Sequence, residues 1–279
     1  MRLITVPSIA VLAGIALMLN PVAAEAHNPL TAAGTERIPA MLSALLLAAF
    51  WVGYVLGSRR VRPDPWRELL FHVTGVVAVF TLFGPLDGWA ETSTAMHMTQ
   101  HMLLMVVIAP LWVFARPLPQ LAAAAGRSGA FLWKPFLQLA GHPLLAAYLH
   151  GMAIWFWHTP YFYMLALDNA WWHAVEHACF LLTAGSFWWA MLYCTRRTTP
   201  FALLALLFTL MHTGFLGALL TFAQSPLYGE ARDLQDQQLA GLIMWVVGAI
   251  PYLVASAWCG QRWYRRMVNA GYLGSDHAK

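Results

Sequence analysis

Residues 95–115 read AMHMTQHMLLMVVIAPLWVFA, an apolar run without Asp, Glu, Lys or Arg. About 20 such residues are enough to cross the hydrocarbon core of a bilayer as a helix. His97 and His101 lie inside this run, four residues apart and therefore on one helical face. Because an imidazole in hydrocarbon is costly without a partner, the run predicts a membrane span that also carries a functional site.

Similar apolar runs continue along the chain. The composition is 60% hydrophobic and only 10% charged over 279 residues, which is too little charge to cover a soluble domain. We therefore predict an all-α polytopic membrane protein, with a single seven-helix bundle over residues 27–279. The predicted spans are about 38–57, 69–86, 95–115, 136–157, 171–194, 200–222 and 238–259.

The first 26 residues have the pattern of a signal peptide. Arg2 precedes an apolar stretch, and Ala24-Glu25-Ala26 forms a small-x-small cleavage site. An uncleaved signal anchor is the alternative, and both interpretations place His27 outside the cell. If cleavage follows Ala26, the new α-amino group and the His27 imidazole could together chelate Cu(II).

The basic residues predict the orientation. Loops on one side of the predicted membrane carry thirteen of them, whereas the other side carries only Arg37 and Arg232. The positive-inside rule then places the N-terminus outside and the C-terminus in the cytoplasm of a bacterial inner membrane. Since this bias explains the net charge of +4, we infer no nucleic-acid partner. The thirteen are Arg59, Arg60, Arg62, Arg67, Arg116, Arg127, Lys134, Arg196, Arg197, Arg262, Arg265, Arg266 and Lys279.

A second histidine pair, His173 and His177, repeats the four-residue spacing in the fifth predicted span. With a rise of about 1.5 Å per residue, both pairs lie roughly 3 to 9 Å below the outer helix ends. Two pairs at equal depth on facing helices can supply four nitrogen ligands, a set that suits copper, zinc or iron. We predict that His97, His101, His173 and His177 bind one metal ion in the outer half of the membrane.

Further residues are candidates for ligands or for groups that support the ligands. Single histidines occur at similar depth on other helices, and methionine sulfur near the first pair favours copper, although methionine is also common in apolar packing. An acid before the last span either attracts cations or caps that helix. These candidates are His150, His158, His212, Met98, Met102, Met105, Cys179 and Asp236. We interpret Cys194 and Cys259 as small apolar residues.

Two other chemistries stay open. His173-Ala174-Val175-Glu176-His177 has the HxxEH pattern of an inverted zinc-protease motif, so an intramembrane zinc hydrolase is one alternative. In that case Glu176 activates water; otherwise it hydrogen-bonds a ligating histidine. The other alternative is a membrane protein with b-type haem bound between His101 and His177.

Several motifs together resemble the seven-helix CtaG family. They are HMTQHMLL at residues 97–104, His158-Thr159-Pro160, the His173/His177 pair, SPLY at residues 225–228 and DQQLAGLIMW at residues 236–245. The resemblance implies assembly of caa-type cytochrome c oxidase and maturation of its copper centres. Its implied partners are an oxidase subunit and periplasmic copper carriers, besides membrane lipid. The expected function is therefore copper binding and delivery rather than enzymatic catalysis.

Overall fold

The computed structural model describes Pro29, residues 32–229 and residues 232–269. The predicted signal peptide and His27 lie outside these residues. Within them, the regular structure is helical, which confirms the all-α prediction. The helices are α1 Arg37–Ser58, α2 Pro65–Phe83, α3 Pro85–Thr92, α4 Thr94–Met102, α5 Ala109–Ala115, α6 Leu118–Ala140, α7 Pro143–Trp157, α8 Pro160–Asp168, α9 Ala170–Leu192, α10 Thr199–Thr221, α11 Leu234–Leu242 and α12 Ala249–Asn269.

Five helical segments of the described chain are long and apolar enough to cross a membrane. They are Gly34–Ser58, Pro65–Thr92, Thr94–Ala115, Thr199–Thr221 and Leu234–Asn269. Large apolar side chains face outward along the first of them, with Leu45 and Leu46 more than 60% exposed. In lipid such a surface is favourable. The two other predicted spans coincide with α7, which has 15 residues, and with α9.

The predicted span 136–157 was wrong at its N-terminal boundary. The helix begins only at Pro143, and residues before it belong to α6. Proline disfavours helical backbone in the preceding residue, and His142 accordingly has φ −120° and ψ 85°. The predicted span 69–86 is likewise interrupted, because Gly84 has extended backbone between α2 and α3.

Two of the long helices contain a π-helical segment. Leu103–Ile108 joins α4 to α5, and Ile243–Val247 precedes α12. A proline follows each segment within a few residues, Pro110 in the first case and Pro251 in the second. Because proline has no N–H group and its ring collides with the preceding turn, the regular hydrogen-bond ladder cannot pass through unchanged. The extra residue in each π turn changes the face presented by the helix beyond it.

Helix α9 lies at the centre of the bundle. It packs against α5, α7 and α8, and also against the π segment after α4. One end of α9 carries His173 and Glu176. Basic residues from other segments contact the opposite end: Arg116 donates to the Tyr193 hydroxyl, and Arg262 donates to the Leu192 carbonyl. We call these the histidine end and the basic end of the bundle.

Helices α10 and α11 cross at very short range. A Cβ atom on Gly241 would lie 2.6 Å from the Gly217 carbonyl oxygen and 2.6 Å from the Thr221 nitrogen. These neighbours are backbone atoms, so they cannot move aside as a side chain would. The two glycines therefore fix the distance between α10 and α11.

We predict that Gly241→Ala destabilises the protein by about 1–3 kcal/mol, because the added methyl group forces the two helices apart. The matched control is Gly260→Ala, where an added Cβ meets no atom within 4 Å. That change should leave stability unchanged or slightly improved, since alanine is the better helix former. Thermal unfolding of both variants in detergent measures the difference, and equal melting temperatures would contradict the close crossing.

Candidate metal centre

The facing sides of α4 and α9 bring four buried ligand residues together. His97 and His101 come from α4, and His173 and Glu176 come from α9. One potential ligand atom from each residue lies within 4.8 Å of the other three. The i, i+4 spacing on α4 and the i, i+3 spacing on α9 explain this arrangement, because both spacings place side chains on one helical face. We call these four residues the histidine–glutamate cluster.

The Glu176 carboxylate lies between the two imidazoles of α4. Its Oε2 atom is 3.8 Å from His97 Nε2 and 3.6 Å from His101 Nε2. Among the described residues, neither carboxylate oxygen of Glu176 has a hydrogen-bond partner, nor have the ring nitrogens of His97 and His101. Burying such groups without partners is costly, and a buried carboxylate especially so. A bound cation would satisfy the Glu176 carboxylate and one ring nitrogen of each imidazole at once.

The dimensions of the cluster fit one metal ion after a small adjustment. A tetrahedral ion with bonds of about 2.1 Å holds its ligand atoms about 3.4 Å apart. The observed limit of 4.8 Å exceeds that separation by an amount that side-chain rotation can close. Three imidazole nitrogens and one carboxylate oxygen form a donor set that suits zinc, copper or iron.

His177 lies beside the cluster rather than inside the group of four. Its ring centroid is 4.1 Å from that of His173 and 5.6 Å from that of His101. The structure thus brings together three of the four predicted histidines, with Glu176 in the remaining position. His177 is partly exposed to a cavity at the side of the bundle.

This cavity has a volume of about 490 Å³ and follows α9 from Trp171 to Trp189. Helices α1, α5 and α6 form much of its wall, which is almost entirely apolar. Among the described residues that line the cavity, His173 and His177 are the two with ionisable side chains. The cavity therefore connects the flank of the bundle with the histidine–glutamate cluster.

The single histidines differ in their distance from the cluster. His158 is near it, with its ring 6.0 Å from that of His101; its Nδ1 donates to the Ile154 carbonyl over 2.7 Å. Its Nε2 consequently carries the lone pair. His150 bonds through Nδ1 to Thr183 Oγ1 at 3.0 Å, and His212 packs on Gly151, where a Cβ atom would lie 2.9 Å from its Nε2. Neither His150 nor His212 belongs to the group of four.

The sulfur candidates lie in apolar surroundings. Met98, Met102 and Met105 are buried in the main hydrophobic core. The Met102 sulfur faces Gly248, where a Cβ atom would lie 3.0 Å away. Cys179 is half-buried, one turn before Thr183, which donates to its carbonyl oxygen.

Asp236 holds the start of the helix that carries His97 and His101. Its carboxylate accepts hydrogen bonds from the backbone N–H groups of Thr94 and Ala95 and from the Ser93 hydroxyl. The predicted cap on its own helix was wrong, because Asp233 caps α11 by accepting from Gln235 N–H. A carboxylate at a helix N-terminus is stabilised by the exposed amide groups. Asp236 therefore fixes α4 against α11 and positions the histidine pair.

Arg232 supports the same junction. Its guanidinium donates to the Glu91 carbonyl oxygen at 2.8 Å and to the Thr94 hydroxyl at 3.2 Å. The sequence offered one readable signal for this arrangement, Ser93 as N-cap of α4, and the structure shows it accepting from Met96 N–H. The partners from residues 232–236 are distant in sequence, so local patterns did not reveal them.

The space around His101 does not fit a haem. The rings of His97, His158, His177 and Phe180 lie with their centroids 4.2 to 6.0 Å from that of His101. A porphyrin between His101 and His177 is much wider than this enclosure. The geometry thus favours a metal ion over a macrocycle.

The fold and the cluster define a class: a helical membrane protein with a buried histidine–glutamate site that could hold a metal ion. Residues 48–266 match the family of cytochrome c oxidase caa3 assembly factors, Caa3_CtaG. The chain belongs to this family, and the resemblance seen in its motifs is confirmed. No curated protein and no solved structure matches the chain significantly.

We predict that Asp236→Ala weakens metal binding and lowers stability by about 1 kcal/mol, because the N-terminus of α4 loses its cap and the histidine pair loses its position. Asp236→Asn should retain most of the binding, since the amide oxygen still accepts hydrogen bonds. Asp233→Ala is the control, since it removes a cap from α11 alone. Metal titration and thermal unfolding test the three variants; equal metal affinity in Asp236→Ala and Asp233→Ala would refute the positioning role.

Proposed function

We propose that this protein binds copper in the histidine–glutamate cluster and supplies it to cytochrome c oxidase during assembly. The observation that carries the proposal is the convergence of His97, His101, His173 and Glu176, which are buried and lie within ligand distance of one another. Membership of the oxidase assembly family supplies the client. Copper is the cargo, and the role is not enzymatic.

His177 and the lateral cavity support a route for transfer. His177 is close enough to His173 to take over a metal ion after a side-chain rotation, and both residues line the cavity. Exchange between imidazole ligands of similar strength requires no external energy source. An oxidase subunit docked against α1 and α9 would receive the ion from His177, and a periplasmic copper carrier would load the cluster from the histidine end.

We further propose seven membrane spans, with α7 and α9 added to the five long apolar segments. The basic end is then cytoplasmic, because Arg116, Arg262 and Arg266 all lie there. The cluster takes the opposite position, in the outer half of a bacterial inner membrane. This topology follows a cleaved signal peptide over residues 1–26.

One observation keeps the zinc hydrolase as the second candidate. Glu176 lies directly against the imidazoles that would hold the metal, at 3.6 to 3.8 Å, which is also where a general base for a metal-bound water would be needed. The two functions differ in what Glu176 does. As a ligand it holds the ion, and as a base it is dispensable for binding.

We predict that the double variant His97→Ala/His173→Ala lowers the copper affinity of the histidine–glutamate cluster at least about 100-fold, because losing even a group that merely orients a ligand costs about 10- to 100-fold. The matched control is His150→Ala/His212→Ala, which also removes two imidazoles but leaves the cluster intact. Copper titration of detergent-purified proteins, with melting curves to verify folding, makes the comparison. Binding of as many copper ions by the first variant as by the wild type, with the same affinities, would rule out a shared site.

In cells that depend on this protein, we expect the same His97→Ala/His173→Ala variant to yield oxidase with little copper and little activity. The control pair His150→Ala/His212→Ala should restore both. Copper analysis of isolated oxidase, alongside its haem content, provides the measurement. Glu176→Gln extends the test: loss of bound metal supports the ligand role, whereas full metal loading without oxidase assembly would favour the hydrolase.

A further inference from the structure

Two cysteines meet at the basic end of the bundle. Cys194 lies two residues after the end of α9, and Cys259 lies within α12. The Cys259 thiol contacts the Met191 carbonyl near the end of α9, three residues before Cys194, and the two cysteines are not joined by a disulfide. Both side chains are buried, with 6% and 1% exposure. Both residues belong to the main hydrophobic core, which agrees with their interpretation as small apolar residues, and helix packing brings them to the same end of the bundle from distant parts of the chain.

Polar and positively charged groups lie beside these two cysteines at the edge of the hydrophobic core. The Cys259 thiol donates to the Met191 carbonyl at 3.4 Å, and the Cys194 sulfur is 3.4 Å from the Thr199 hydroxyl. Arg266 donates to the backbone carbonyl of Cys194 itself. Arg262 donates to the Leu192 carbonyl in the same turn of chain. Two guanidinium groups are thus held against the backbone of the segment that carries Cys194.

We propose that Cys194 and Cys259 form a second metal site, which binds one Cu(I) ion as a bis-thiolate. Binding replaces one proton on each sulfur by a bond to copper, so two protons leave and no electron is transferred. The resulting complex carries one negative charge. Arg262 and Arg266 compensate that charge inside the protein, where an isolated anion is unfavourable.

The number of ligands selects the ion. Thiolates are soft ligands that prefer Cu(I) or zinc. Zinc is normally held by four protein ligands or by three with a water, whereas Cu(I) accepts two in a linear arrangement. Within the described part of the chain, no additional His, Asp, Glu or Cys side chain joins the thiol pair to make a larger ligand group. Two-coordinate Cu(I) is therefore the ion that this site fits.

The thiol pair is independent of the histidine–glutamate cluster. From His173 to Leu192, α9 rises by about 28 Å, so the two sites lie at opposite ends of the bundle. A failure of copper binding at one site leaves the other unaffected. This separation allows each to be tested alone.

The test uses full-length protein carrying His97→Ala/His173→Ala, purified in detergent under anaerobic reducing conditions. Titration with Cu(I) against a chromophoric Cu(I) chelator should show one bound equivalent. Adding Cys194→Ser or Cys259→Ser should lower that affinity at least tenfold, whereas Cys179→Ser, the third cysteine, should not. Melting curves verify folding. Unchanged Cu(I) affinity in both serine variants would overturn the proposal.

A measurement on the wild-type protein avoids any dependence on variants. Cu(I) should slow alkylation of Cys194 and Cys259, as read by peptide mass analysis, and leave Cys179 unaffected. Zinc at the same concentration should protect much less. Equal alkylation rates with and without Cu(I), stronger protection by zinc, or a Cys194–Cys259 disulfide in the protein as isolated would each refute a Cu(I) site.

Discussion

A carboxylate surrounded by imidazoles in an apolar interior is the constraint on which this structure depends. Glu176 is fully buried, and the groups nearest to its Oε2 atom include His97 and His101. Such an arrangement has no value for packing, because apolar side chains of the same size would fill the space at lower cost. His173 and Glu176 nevertheless lie on α9, the central helix of the bundle. The cluster could hold a metal ion, and the remaining helices hold α4 and α9 in register around it.

The sequence was sufficient for the helical class and for the facing histidine pairs. Spacings of four residues on two apolar runs predicted that His97, His101 and His173 share one site, and the structure brings them together. The HxxEH pattern in the sequence also predicted that Glu176 lies beside the ligands. Only the folded structure shows that Glu176, and not His177, belongs to the group of four. Periodicity along one helix cannot say which of two adjacent side chains reaches across to the next helix.

Other features depended on interactions between distant segments. The sequence signal for the helix break was Pro143 itself. The apolar run that begins at residue 136 nevertheless favoured a span that starts before this proline. The π segments shift the helical face beyond them, so a regular period misplaces side chains after Leu103. The approach of Cys259 to the end of α9, near Cys194, and the role of Asp236 at α4 arise from helix packing, for which a single sequence carries no local signal.

The anchoring of α4 also has a consequence for how the protein is made. The histidines on α4 appear early in synthesis, but the groups that fix the start of that helix, Arg232 and Asp236, come from near the end of the chain. A ribosome must therefore produce most of the protein before the binding geometry is complete. A nascent or truncated chain carries the same imidazoles without their alignment. Under the proposed function, incomplete copies would bind copper poorly, so the order of synthesis itself favours loading of finished molecules.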